Sequence, residues 1–139
     1  MIIAFDSSAL VKLLVDERDT DVAQELWNRA SDRVASALAY PETMAALAAA
    51  GRDKRISRGE SQKAMEEFIS LWERVDSVEV SDEVAQLAGE FACSSPPIGG
   101  SDAVHLATAV RIGATGAAIA TWDRRLAGSA REAGLFVVP

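Results

Sequence analysis

Cysteine is almost absent from this 139-residue chain. The single Cys93 excludes a disulfide framework and a thiolate-built zinc site, and it favours a reducing compartment. Proline and glycine are sparse too, four and nine residues, too few for a collagen-like or low-complexity chain. No apolar run approaches the ~18 residues that a membrane-spanning helix needs. Met1–Asp6 lacks the basic start of a secretory signal and reaches an acidic residue after five apolar ones. There is one histidine, His105, and no plausible Ser/His/Asp triad around it. These absences leave a soluble domain, expected in the cytoplasm, with no membrane contact.

What is present is an ordinary core and an unusual charge. Apolar residues make up 49% and charged residues 25%, enough to fill one hydrophobic core, and the length fits one domain spanning 1–139. Fourteen Lys+Arg against twenty-one Asp+Glu leave a net charge of −7. Net charge alone argues against tight nucleic-acid binding, because that affinity comes mainly from cations on phosphates. The acidic excess serves either solubility or a site built around a divalent cation.

Hydrophobic patterning predicts alternating strands and helices. Ile2-Ile3-Ala4-Phe5 reads as a buried strand running into a helix that begins at Asp-Ser-Ser. A helix is expected from Asp19 to about Ala30 and a short strand at Val34–Ser36. Pro41 fits the first turn of a helix that Gly51 would stop. Ser57-Arg58-Gly59-Glu60 has the form of a capping box. Val78–Val80 reads as a strand, and Ser81 as the cap of a helix whose inner face is Val84, Leu87, Ala88 and Phe91. After a loop at Cys93–Gly100, Ser101 should open a helix; Ala117–Thr121 should be a strand, Asp123–Ala133 a helix and Leu135–Val138 a last strand. The expected fold is α/β, a mostly parallel central sheet of about four to five short strands covered by about seven helices.

In such a sheet, ligand chemistry gathers at the carboxyl ends of the strands. Asp6 directly follows the first strand, and Asp123 stands two residues after Thr121. Glu42 and Asp102 lie at helix beginnings. Each acid alone has a plain role as an N-terminal cap or dipole partner. Together they ask for more. Glu42 stands among Met44, Ala45, Leu47 and Ala48 in an apolar helix, where an isolated carboxylate is costly to bury. Carboxylates converging in one crevice repel, so one keeps a proton or a cation neutralises them. Oxygen donors suit Mg²⁺ or Mn²⁺.

These residues resemble a family. Asp6-Ser7-Ser8-Ala9-Leu10-Val11-Lys12-Leu13, Pro41-Glu42, Ser101-Asp102-Ala103-Val104-His105-Leu106-Ala107-Thr108-Ala109 and Thr121-Trp122-Asp123-Arg124-Arg125-Leu126 are similar to the ordered acidic motifs of PIN-domain ribonucleases, and most of all to the VapC-type toxins of bacterial toxin–antitoxin pairs. One such motif is weak; four in order over essentially the whole chain are specific. The resemblance implies a Mg²⁺- or Mn²⁺-dependent endoribonuclease that cleaves single-stranded RNA with a metal-activated water. Asp6, Glu42, Asp102 and Asp123 would be both the catalytic and the metal-binding residues, with Ser7 and Thr121 as auxiliary hydrogen-bonding groups. It also implies a cognate VapB-type antitoxin that places a basic side chain among the acids, and a homodimer. The chain departs from many relatives at Gly99, where they carry a basic residue three positions before the third acid.

Other readings of the same residues stay open. A housekeeping PIN-type RNA-processing nuclease would carry the same acids, and a PIN-like fold kept only for protein interaction would have no reason to hold all four. A phosphoacceptor module also places acids at strand ends. The haloacid-dehalogenase phosphatase pattern needs an Asp where this chain has Ser8, and a response-regulator receiver needs an acidic pair where Phe5 precedes Asp6. His105 reads as a packing residue one turn from Asp102, and Trp27 and Trp72 as core or interface. Arg52, Lys54, Arg55 and Arg58 read as solvated charge between two helices. Lys12, Arg124 and Arg125 flank two of the acids and are candidates for substrate phosphates.

Overall fold

A computed structural model describes residues 1–113 and 116–139. Within them, five strands, β1 (Ile2–Phe5), β2 (Asp32–Ser36), β3 (Asp76–Val78), β4 (Ala118–Ala120) and β5 (Phe136–Val138), form one parallel sheet in the order β3-β2-β1-β4-β5. Seven helices connect and cover it: α1 (Ser7–Lys12), α2 (Thr20–Arg29), α3 (Ala39–Arg52), α4 (Arg58–Trp72), α5 (Asp82–Ala92), α6 (Gly100–Ile112) and α7 (Arg124–Glu132). None of the described helices is long and apolar enough to cross a membrane.

The alternation of side chains along a strand explains the two cores. Ile3 and Phe5 of β1 and Ala120 of β4 point to one face, against Leu10, Trp27, Leu47 and Phe68. Ala4 and Ile119 point to the other, against Val84, Leu106, Leu126 and Ala130. Both faces are covered, so the central strands carry unbroken apolar runs. Trp27 belongs to the first core and meets Phe5 edge-on at 5.3 Å between ring centroids. Trp72 packs against Tyr40 and Phe68.

Strand order sets where a site can form. From β1 the chain builds outward through β2 and β3, then returns to the opposite side of β1 to build β4 and β5. The connections therefore diverge at the carboxyl ends of β1 and β4, and such a switch point opens a crevice.

Four local expectations needed correction. Helix α3 starts at Ala39, before Pro41, and runs through Gly51 to Arg52, so Gly51 does not end it. Strand β3 lies at Asp76–Val78, ahead of the predicted Val78–Val80, because it pairs with the short Val34–Ser36 segment of β2. Helix α6 begins at Gly100 with Gly99 at its N-cap, one residue before Ser101. Helix α2 starts at Thr20, with Asp19 before it in the left-handed region at φ 66°. The predicted capping box is complete: Glu60 N donates to Ser57 Oγ at 3.0 Å, and Ser57 N donates to Glu60 Oε1 at 3.0 Å.

Gly51 is in α3 because α4 crosses it closely. A Cβ at this position would lie 2.7 Å from Ser61 Cβ, and the Ser61 hydroxyl donates to the Leu47 carbonyl at 2.8 Å. Alanine normally favours a helix over glycine by about 1 kcal/mol, but here the clash decides the sign. Gly51→Ala should destabilise the fold by about 1–3 kcal/mol in urea unfolding. An unchanged or raised midpoint would show that α4 is free to move away.

Candidate active site

The crevice at the ends of β1 and β4 is closed by one buried carboxylate. Asp6 follows β1 directly and caps α1; its Oδ1 accepts from Ala9 N at 2.8 Å and from the Ser8 hydroxyl at 2.7 Å. Its Oδ2 accepts from the Thr121 hydroxyl at 2.5 Å, across from the end of β4. Ser8 Oγ in turn accepts from Trp122 N, and Thr121 Oγ1 from Asp123 N, both at 3.0 Å. The two hydroxyls thus stitch the β1–α1 turn to the β4–α7 turn through one acid.

The serine in this stitching is Ser8 and not the expected Ser7. Successive helical residues are about 100° apart around the axis, and two positions after the cap is the one that turns back onto the Asp6 carboxylate. Among the described residues the Ser7 hydroxyl makes no such bond; both serines line a groove of about 270 Å³ with Lys12, Arg55 and Trp122. Thr121 is where it was expected.

The other three acids face the same crevice. Asp123 caps α7, with Oδ1 accepting from Arg125 N at 2.8 Å and Leu126 N at 3.0 Å, which leaves Oδ2 uncommitted. Asp102 lies in the first turn of α6, half-buried, and a Cβ at Gly99 would stand 3.9 Å from its Oδ2. Glu42 lies in the first turn of α3. Its Oε1 is 2.5 Å from His105 Nε2, which is buried in the face of α6 one turn beyond Asp102. Sequence reasoning treated His105 as packing. Its spacing from Asp102 was the available signal, but the 63-residue separation from Glu42 hid the pairing.

Electrostatics show the convergence. Burial holds the Asp6 carboxyl above the usual aspartate value, against the opposing pull of its three hydrogen bonds and of His105. Asp102 is also raised, first by burial and then by the charge of Asp123, with Asp6 and Glu42 adding to it and His105 opposing. All four acids therefore act on one volume. Among the described residues no three of them meet at coordination distance. The donor chemistry nonetheless fits a hard divalent cation: oxygen donors only, two of them held above their ordinary pKa by burial, with acidic neighbours adding to the shift of Asp102.

The flanking cations divide into two groups. Lys12 is engaged, with its ammonium 3.2 Å from Glu17 Oε1, donating to the Arg18 carbonyl at 2.8 Å and lying over the Trp122 ring. Trp122 Nε1 donates to Asp19 Oδ2 at 3.2 Å, so its ring is a brace for the α1–α2 turn. Arg124 and Arg125 are exposed at the start of α7. Arg52 and Arg58 line a separate cavity between α3 and α4.

Comparison with known proteins follows this geometry. The profile of the PIN domain matches residues 3–131. Ribonuclease VapC45 of Mycobacterium tuberculosis is 41% identical over 138 residues, covering 99% of this chain and 95% of that protein. Ribonuclease VapC46 of the same species is 34% identical over 137 residues, 98% and 95% of the two chains. Among solved structures, the sarcin-ricin loop cleaving toxin VapC20 of M. tuberculosis superposes with a TM-score of 0.70 at 20% identity, over 99% of each chain. VapBC2 of Rickettsia felis, solved on a promoter DNA fragment, gives 0.67 at 13% identity over 99% of this chain and 97% of that one.

Asp102 yields a pH prediction for the cation-free protein. A carboxyl raised in the fold gives stability that is fully present below its unfolded value, 3.8, and is lost as pH rises through the higher folded value. Stability without metal should therefore decline above about pH 4 as Asp102 and Asp6 ionise. Asp102→Asn should flatten that decline and raise the thermal midpoint near neutral pH in the presence of a chelator. A lowered midpoint would mean that the carboxylate is compensated by contacts within the fold.

Proposed function

Because the chain belongs to the PIN-domain family, in its VapC-type ribonuclease branch, we propose that it is a divalent-metal-dependent endoribonuclease, the toxin of a toxin–antitoxin pair, cleaving single-stranded regions of RNA in the cytoplasm. Residues 1–139 form one such domain in this reading. The observation that carries it is the gathering of Asp6, Glu42, Asp102 and Asp123 at the switch point of the sheet, where each of the other three raises the Asp102 carboxyl. A phosphoacceptor role, which the strand-end acids also allowed, falls with the family assignment.

Asp6, Glu42, Asp102 and Asp123 would hold Mg²⁺ or Mn²⁺; the Oδ2 of Asp123 is not engaged by the helix cap. When bound, the cation supplies Lewis-acid polarisation of the scissile phosphate and of the attacking water. The chain supplies placement. Thr121 and Ser8 fix the Asp6 carboxylate in one orientation, so none of its freedom is lost on metal binding. His105 holds Glu42 by one oxygen and leaves the other without a bond to the ring. Depth in the fold keeps Asp6 dry, which strengthens each charge interaction made there.

The partner reading rests on relatives solved as VapBC complexes, from Rickettsia felis and from Haemophilus influenzae. A VapB-type antitoxin would place an arginine among the acids, neutralising them bidentately in place of the cation. A homodimer completes the proposed assembly.

Wild-type protein should cleave single-stranded RNA with Mg²⁺ or Mn²⁺ and stop on chelation, and Asp6→Asn or Asp102→Asn should abolish cleavage. Produced without its antitoxin, the wild type should arrest bacterial growth and Asp6→Asn should not. Full activity of either Asn variant would sink the assignment of the acids, and harmless accumulation of active enzyme would favour an RNA-processing role.

His105 gives a separate test, since loss of a group that orients a ligand typically costs about 10–100-fold in metal affinity or activity. His105→Leu should show that loss in Mn²⁺ affinity by calorimetry and in kcat. His105→Gln, which can still donate to Glu42, should recover most of it. Equal behaviour of the two variants would reduce His105 to packing.

A further inference from the structure

Helix α7 carries a glycine that its packing does not require. Gly128 stands in the middle of the nine-residue helix, where glycine is a poor helix former, and a Cβ there would meet nothing within 4 Å. Gly51 admits a neighbouring helix; Gly128 leaves a space. That space is a cavity of about 420 Å³ with Pro96, Pro97 and Ile98 on one side and Arg124, Arg125 and Gly128 on the other. A second cavity, of about 380 Å³, lies on the far side of Arg124 and is lined by Thr121, Asp123 and Arg131. Arg124 is the wall between them, next to the acid that caps the helix.

The charges on this wall are uncommitted. Among the described residues none of Arg124, Arg125 and Arg131 forms an ion pair, on a chain that carries −7 overall and in which Lys12 is held by Glu17. Unpaired arginines beside an acidic centre suit a polyanion that must approach carboxylates which repel it. The planar guanidinium also offers a face on which a nucleobase stacks.

We propose that the cavity between the Pro96–Ile98 loop and α7 is a subsite for one nucleotide flanking the cleaved bond, resting on the ribonuclease reading above. Its base lies against Pro97, Ile98 and the open position at Gly128, and Arg124 and Arg125 neutralise the adjacent phosphates. The substrate strand therefore runs over the start of α7 and not over α1, where the cation is already engaged. The absence of a side chain at Gly128 sets how large a base is admitted.

Two kinds of variant separate base from phosphate. Gly128→Leu fills the cavity without removing charge: KM for single-stranded RNA should rise several-fold, with the salt dependence of binding unchanged. Arg124→Ala combined with Arg125→Ala should raise KM and reduce the slope of log affinity against log salt by about 1.4, at about 0.7 per phosphate contact. Binding is read by anisotropy of a labelled oligonucleotide in the Asp102→Asn background, with chelator. Arg29→Ala, which removes a cation paired with Glu25 on α2, should leave KM unchanged. Gly128→Ala should raise the thermal midpoint, reporting that helix packing tolerates a side chain there. If Gly128→Leu and the double arginine variant both match a cleaving wild type in KM, the subsite is wrong and the ribonuclease reading stands. If the wild type neither binds nor cleaves RNA, both fall.

Discussion

The Asp6 carboxylate is the constraint on which the rest of this architecture depends. It is buried to 3% exposure at the end of the central strand, where an ionised group without partners would be prohibitively costly. Its partners come from both sides of the switch point: Ser8 and Ala9 from its own turn, Thr121 from the turn after β4. Satisfying one acid therefore fixes the relative position of two loops that are 115 residues apart in the chain. Those loops carry Asp123 and begin the helices that frame the crevice. The same bonds that make the burial tolerable build the site.

Satisfaction is incomplete. Three hydrogen bonds do not bring the buried Asp6 down to an ordinary aspartate pKa, and Asp102 remains raised by burial and then by its acidic neighbours. A fold selected only for stability would replace such a cluster by apolar residues or pair it with arginines. His105 touches Glu42 and opposes the raised pKa of Asp6 and of Asp102 without cancelling either. Under the proposed function, the residual repulsion is what a cation relieves. On the proposed reading, metal and antitoxin arginine are two answers to it, which makes catalysis and inhibition compete for the same deficit.

Charge also has to be read locally. A net charge of −7 speaks against a general affinity for polyanions, yet four of the twenty-one acids share one crevice, while Arg124, Arg125 and Arg131 beside it form no ion pair among the described residues. The net figure averages over surfaces that a substrate meets separately. Charges farther apart than about 8 Å are largely screened from one another at physiological salt, so a phosphate near α7 meets the arginines and the neighbouring Asp123 and little of the rest of the chain's charge.

Much of this was legible in the chain itself. The alternating elements followed from apolar periodicity, and the caps at Asp6, Ser57, Ser81 and Asp123 from residue type and spacing, because these are local effects that act within a turn. The four acids were legible as a set because each falls at the end of a strand or the start of a helix, where an α/β sheet directs chemistry. Gly51 was misread, since a glycine that ends a helix and one that admits a crossing helix are identical in sequence, and only the approach of Ser61 tells them apart. Ser7 and Ser8 were confused because one residue changes the direction of a helical side chain by about 100°. The pairing of His105 with Glu42 and the open cavity at Gly128 belong wholly to the tertiary structure. Both depend on distances between elements far apart in the chain, set by how the two cores pack on either face of the sheet. Sequence determined which groups are candidates for the chemistry; packing decided which of them touch, and which are left free to meet a ligand.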